Sequence, residues 1–117
     1  MISRIWRGWT SRENGDAYEQ LLREEILPAI AARQAAGYEG VHLLRRDIDD
    51  EVEFVTIMWF ESLDIVRAFA GDEHEIAVVP PKARELLARF DKRSTHYETL
   101  VKPQEPGETT GSAAGTA

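Results

Sequence analysis

The sequence predicts an α+β domain: four antiparallel strands in one sheet, with helices packed along one side of it. Segments rich in β-branched and aromatic residues take turns with segments whose apolar residues recur every three or four positions. Their order reads strand, helix, strand, strand, helix, strand, with an extra helix before the last strand. Turn and cap residues punctuate the junctions, among them Asn14-Gly15, Ser62, Gly71 and Pro80-Pro81.

Residues 2–10 form the first expected strand, on Ile5, Trp6 and Trp9. Gly8 within it marks a bulge or the close approach of another backbone. Asn14-Gly15 then reads as a turn, and Asp16 as the N-cap of a helix, with Glu19 completing a capping box. Tyr18, Leu21, Leu22, Ile26, Ala29 and Ile30 share one face of that helix. Pro28 removes a hydrogen bond to the Glu24 carbonyl, so a kink or break is expected there, and Gly37 is placed at the C′ end. Residues 38–46 and 51–60 read as strands joined by the acidic turn Asp47-Ile48-Asp49-Asp50. Ser62 caps a second helix that displays Leu63, Val66 and Phe69 and stops at Gly71. Pro81 opens a third helix carrying Ala83, Leu86, Leu87 and Phe90, and residues 94–101 close the unit as a strand. This is the ferredoxin-like, split-βαβ arrangement.

The folded unit is expected to span residues 1–102. Residues 103–117 hold Pro, Gly, Ser, Thr and Ala without a large apolar side chain, and read as a disordered C-terminal tail. The whole chain has 117 residues, enough for one domain. Its 14 basic and 21 acidic residues give a charge of −7, which argues against nucleic acid as a partner. With no cysteine, disulfides, thiolate chemistry and Cys-based metal sites are excluded. No apolar run approaches a membrane span, and the first residues, Met1-Ile2-Ser3-Arg4, are too polar for a signal peptide, so a cytoplasmic domain is expected.

A sheet covered on one side should alternate apolar and polar residues along each strand. The third strand, Phe54-Val55-Thr56-Ile57-Met58-Trp59-Phe60, is apolar or nearly so at both parities. The first strand likewise puts Trp6 and Trp9 on opposite faces, with Ile5 beside Trp9. Two helices cover one side, and burying each large apolar side chain contributes roughly 1.5–3 kcal/mol. Sheet-to-sheet pairing of two copies is therefore the expected cover for the other face.

Sites of familiar chemistry are few. His74-Glu75-Ile76-Ala77-Val78 lacks the second histidine of a zinc-peptidase helix, so no metal site is expected, and His74 reads as a solvated loop residue. No phosphate-binding Gly-rich loop or serine-hydrolase elbow occurs. The acidic Glu51-Val52-Glu53-Phe54-Val55 does not match the basic, Gly-containing strand of RNA-binding modules. His42 and His96 fall within strands, where an imidazole can serve as a general base or simply as a hydrogen-bonded structural group. Strand parity sets His42 with Leu44, facing the space between paired sheets. Arg4 and Arg7 can clamp an anionic substrate or point outward to solvent. Trp6, Met58, Trp59 and Phe60 can stack on a flat organic ligand, although core packing alone would explain them.

The run from Phe54 through Trp59-Phe60-Glu61-Ser62-Leu63 to Phe69 resembles the antibiotic biosynthesis monooxygenase family, in which an aromatic-rich third strand ends in an aromatic-Glu-Ser turn before the second helix. Gly37-Tyr38-Glu39-Gly40 and His96-Tyr97-Glu98 are similar too, so the resemblance covers the folded unit. It implies a homodimeric α+β barrel with a cavity closed against the mate. It also implies cofactor-independent oxygenation of a phenolic or enolic polyketide-like substrate, whose own anion reduces dioxygen. Within that frame His42 is the first candidate for the base and His96 the second, with Arg4, Trp6, Thr56, Met58, Trp59 and Phe60 contacting substrate. Haem-degrading relatives of the fold use an Asn, a Trp and a His. This chain has no early-strand Asn, and Phe69 and Val78-Val79 stand where the other two would fall. A non-oxidative isomerase or cyclase, or a non-catalytic small-molecule-binding dimer, would use the same pocket.

Overall fold

A computed structural model describes residues 1–33 and 36–103, so the expected tail, apart from Pro103, lies outside the described residues. Strand β1 (Ile2–Ser11) is followed by helix α1 (Arg12–Leu21), a π-helical turn at Leu22–Ile26 and helix α2 (Leu27–Ala32). Strands β2 (Tyr38–Ile48) and β3 (Glu51–Phe60) form a hairpin, then come helices α3 (Leu63–Ala70) and α4 (Pro81–Leu86) and short strands β4 (Leu87–Phe90) and β5 (Thr95–Glu98). The sheet runs β2-β3-β1, and both β4 and β5 lie antiparallel along the remaining edge of β1. This is the expected ferredoxin-like topology, with its last strand divided in two.

Several junctions differ from the sequence reading, each for a local reason. The Ser11 hydroxyl, not Asp16, caps α1 by accepting from the Asn14 amide at 3.2 Å. Asn14-Gly15 therefore lies inside the helix. Gly15 is there for proximity, since a Cβ would sit 2.9 Å from Val52. Asp16 and Glu19 instead accept hydrogen bonds from Arg45 on β2. Pro28 does not break the helix. The chain widens ahead of it, with the Leu27 amide reaching back to the Leu22 carbonyl, so Pro28 falls in the first turn of α2, where no amide is needed. Gly37 lies beyond the Arg33 cap rather than at C′; its φ of 88° and the 2.8 Å approach of Ile65 to any added Cβ account for glycine. The β2–β3 turn tightens to Asp49-Asp50, with Asp49 in the left-handed region.

The third helix is shorter than its spacing suggests. It ends at Leu86, because Leu87–Phe90 satisfies the edge of β1 instead. Leu87 and Phe90 have unlike parity, yet both pack on the core. A register shift between Trp9 and Thr10 leaves Ala88 without an opposite number and turns both side chains inward. The Ser62 cap of α3 and its stop at Gly71 are as expected. No helix among the described residues is long and apolar enough to cross a membrane.

Register assigns the two faces. Arg4, Trp6, Gly8 and Thr10 of β1 stand opposite Met58, Thr56, Phe54 and Val52 of β3 on the helix side. Tyr18, Leu22, Val52, Phe54, Val79 and Ala83 form the buried centre there, with Tyr18 set edge-on to Phe54. Ile5, Trp9, Val55, Ile57 and Trp59 occupy the other side, where His42 and Leu44 of β2 join them. No helix among the described residues covers that second side.

Gly8 couples sheet to site, since a Cβ there would lie 2.6 Å from the Trp6 ring and 2.9 Å from Leu87. Gly8→Ala should cost about 1–3 kcal/mol in urea unfolding, as overpacking does. An unchanged midpoint would show that the strand shifts freely.

Candidate functional site

The helix side of the sheet does not meet the helices everywhere. Between them lies a cavity of about 750 Å³, on the side of the sheet opposite to that of His42 and Trp59. Arg4 and Trp6 of β1 and Thr56 and Met58 of β3 form its floor. The π turn and α2 supply its roof through Leu22, Ile26 and Ile30, and the Ala77–Pro81 stretch supplies one wall. The wall is held by the 72–80 segment, which hydrogen-bonds to residues 92–94 through Ala77 N to Lys92 O and Ser94 N to Glu75 O. Trp6 is fixed at its polar edge, where the indole N–H donates to the Asp91 carbonyl at 2.7 Å.

At one end stands Arg4, only 5% exposed. Its Nη1 donates to the His74 carbonyl and to His96 Nε2, the latter at 3.0 Å. No carboxylate among the described residues comes within ion-pair distance of it. Because a guanidinium offers no acceptor, Nε2 must accept, and the His96 proton sits on Nδ1. His96 is therefore neutral in this arrangement. Burial, then the charges of Arg4 and His74, push its pKa down, and Glu75 opposes them. Burial also lowers the Arg4 pKa, though a guanidinium stays charged. The His74 ring packs edge-on against His96 with centroids 5.1 Å apart, and its Nδ1 is buried without a hydrogen-bond partner. His74 is thus part of this cluster and not the solvated loop residue expected from its acidic neighbours. Among the described residues no group of three His, Asp or Glu side chains converges as a metal site.

The structure separates the residues that the sequence grouped. Arg4, Trp6, Thr56 and Met58 line the cavity. His96 adjoins it through Arg4. His42 does not: it lies on the uncovered face, its ring edge-on to Trp59 at 4.7 Å. Phe60 is fully buried, packed between Tyr38 and Phe69, and forms no cavity wall. Arg7 projects to the uncovered side and is exposed, whereas Arg4 is not. Tyr18 and Ser94 line the cavity without having been singled out. Tyr18 was visible only as one apolar position of a helix, and Ser94 carried no signal beyond beginning a strand.

No protein-family model and no curated protein matches the sequence. Solved structures do match the fold. A presumed antibiotic biosynthesis monooxygenase from Bacillus cereus superposes with a TM-score of 0.58 at 11% identity, covering 89% of this chain and 97% of that one. SnoaB, a cofactor-independent oxygenase from Streptomyces nogalater, superposes with a TM-score of 0.51 at 21% identity, covering 90% and 96%. At these identities the likeness establishes a common fold, the one expected from the residues 54–69 resemblance.

The depressed His96 pKa gives stability a signed pH dependence. The unfolded chain binds this proton at a higher pH than the folded one, so stability is lost as pH falls through the unfolded value toward the folded one. Between about pH 7.5 and about pH 5 the urea midpoint should drop further for the wild type than for His96→Gln. Parallel drops would mean that His96 is not held neutral.

Proposed function

We propose that the chain is a cofactor-independent, monooxygenase-like enzyme that oxidises a phenolic or enolic, polyketide-type aromatic molecule in the cavity. The observation that carries this reading is a cavity with room for a fused ring system and a neutral imidazole beside a buried guanidinium at one end. The oxygenase names of the two structures that share the fold lend it support.

The chemistry follows from those groups. Substrate hydroxyl enters between Arg4 and His96, and the Nε2 lone pair it frees takes the proton. The resulting enolate carbon adds to dioxygen, forming a C–O bond, and the peroxide anion takes the proton back from His96. Loss of water from the peroxide turns that carbon into a carbonyl; one oxygen atom stays and the other leaves as water, so a CH2 carbon gives up four electrons and dioxygen gains four. Trp6, Met58 and Thr56 hold the ring system, and the apolar walls exclude bulk water. Of the two candidate bases, His96 is the one bonded to the cavity's Arg4, so we give it the base role and leave His42 as a group of the uncovered face.

We take a second copy of the chain as the cover for that face, because Ile5, Trp9, Val55, Ile57 and Trp59 share it with no helix among the described residues over them. Ile57→Asp should then lower the sedimenting mass from two chains to one. A wild-type chain that sediments alone at micromolar concentration would overturn the pairing.

The function is tested by oxygen uptake with anthrone, whose CH2 is oxidised to a carbonyl. His96→Ala should cut turnover by about 10²–10⁴, the usual contribution of a positioned base, while His42→Ala stays near wild type. Turnover indifferent to both changes would sink the assignment. Conversion of an enolic substrate under strict anaerobiosis would select an isomerase or cyclase in place of an oxygenase.

A further inference from the structure

We infer that the cavity takes its ligand as an organic anion, a flat apolar body whose ionised oxygen group seats on the Arg4 guanidinium. The inference rests on the cavity being the ligand site, as proposed above, and adds the charge its ligand must carry.

Arg4 is 5% exposed, and no carboxylate among the described residues lies within ion-pair distance of it. Arg45, Arg46 and Arg89, all more exposed, each meet a carboxylate at 2.6–2.9 Å. Arg4 has only a carbonyl and a neutral imidazole, which supply dipoles but no charge. Glu75 acts on His96 from a distance yet lies outside ion-pair reach of Arg4. A buried cation left in this state is costly, and an entering anion removes the cost. The guanidinium is also geometrically ready. Nη1 is the atom its protein partners engage, while Nε and Nη2 have no acceptor among the described residues. Those two N–H groups form the fork that grips an oxygen pair.

The rest of the lining agrees. Arg4, Arg33 and Lys82 stand against Glu25 alone, and Lys82 is the cation that Glu25 already pairs. A protein of charge −7 has thus collected positive charge around one apolar cavity. A small inorganic anion would leave the apolar walls unfilled, so the ligand is an organic acid.

The test uses the full chain and displacement of the fluorescent neutral probe N-phenyl-1-naphthylamine by 2-naphthoate and by its uncharged isostere 2-naphthamide. Naphthoate should displace the probe at a concentration about tenfold to a hundredfold lower, the worth of a charged hydrogen-bonded contact. Arg4→Met should level the two compounds by weakening naphthoate alone. Arg4→Lys, which keeps the charge and loses the fork, should fall between. Equal displacement in the wild type, or a preference that survives in either variant undiminished, would overturn the inference. If neither compound nor the probe enters, the cavity is no ligand site and both readings fall. If naphthoate is preferred but neither anthrone nor an anthrone carboxylate is oxidised, the oxygenase reading alone is lost.

Discussion

The ten-residue pairing of β1 with β3 decides what this molecule can do. Each strand sends alternate residues to opposite sides, so a single register fixes two surfaces together. In the observed register Arg4, Trp6, Thr56 and Met58 meet the cavity, and Ile5, Ile57 and Trp59 meet the uncovered side. A slip of one residue would exchange these sets. It would put Ile5 in the cavity and expose Arg4, leaving neither surface with its present chemistry. The Asp49-Asp50 turn starts β3 at Glu51, opposite Ser11, and the bulge against β4 falls at the same end, between Trp9 and Thr10.

The helix side then meets a second constraint. Its centre is filled by Tyr18 and Phe54, but the Arg4 end is not, because the last strand is split. Where β4 stops and β5 begins, the chain turns to hydrogen-bond with residues 75–77, and this brings His74 and His96 to the same guanidinium. A continuous edge strand would have kept its bonds to β1. The cluster is therefore a product of the break, in which residues 91–94 pass Trp6 and Arg7, the two β1 residues between its pairings with β4 and β5.

Much of the architecture was legible because it is written in local chemistry. The Ser62 cap, the Gly71 stop, the apolar third strand at both parities and the Trp6/Trp9 division each follow from residues near in sequence. Where the reading erred, distant residues had decided. Asp16 looked like a cap until Arg45, twenty-nine residues on, drew it outward. Leu87 and Phe90 kept helical spacing until the edge of β1 demanded a strand. The cavity was harder still: His42 and His96 look equivalent in isolation, and only the sheet order puts one beside Arg4 and the other against Trp59. His74 was hidden by its acidic neighbours Asp72, Glu73 and Glu75.

The wide turn at Leu22–Ile26 has a further bearing on the cavity. It holds one residue more than an α-helical turn would, and each helical residue rotates the chain beyond it by about 100°. Shortening the loop of backbone by one position would yield a straight rod, relieved of its irregularity. It would also swing Ala29 and Ile30 off the roof and leave the chamber unlidded on that side. The surplus residue thus acts as a spacer that aims the second half of the rod, and helix regularity has been surrendered for a roof over the cavity.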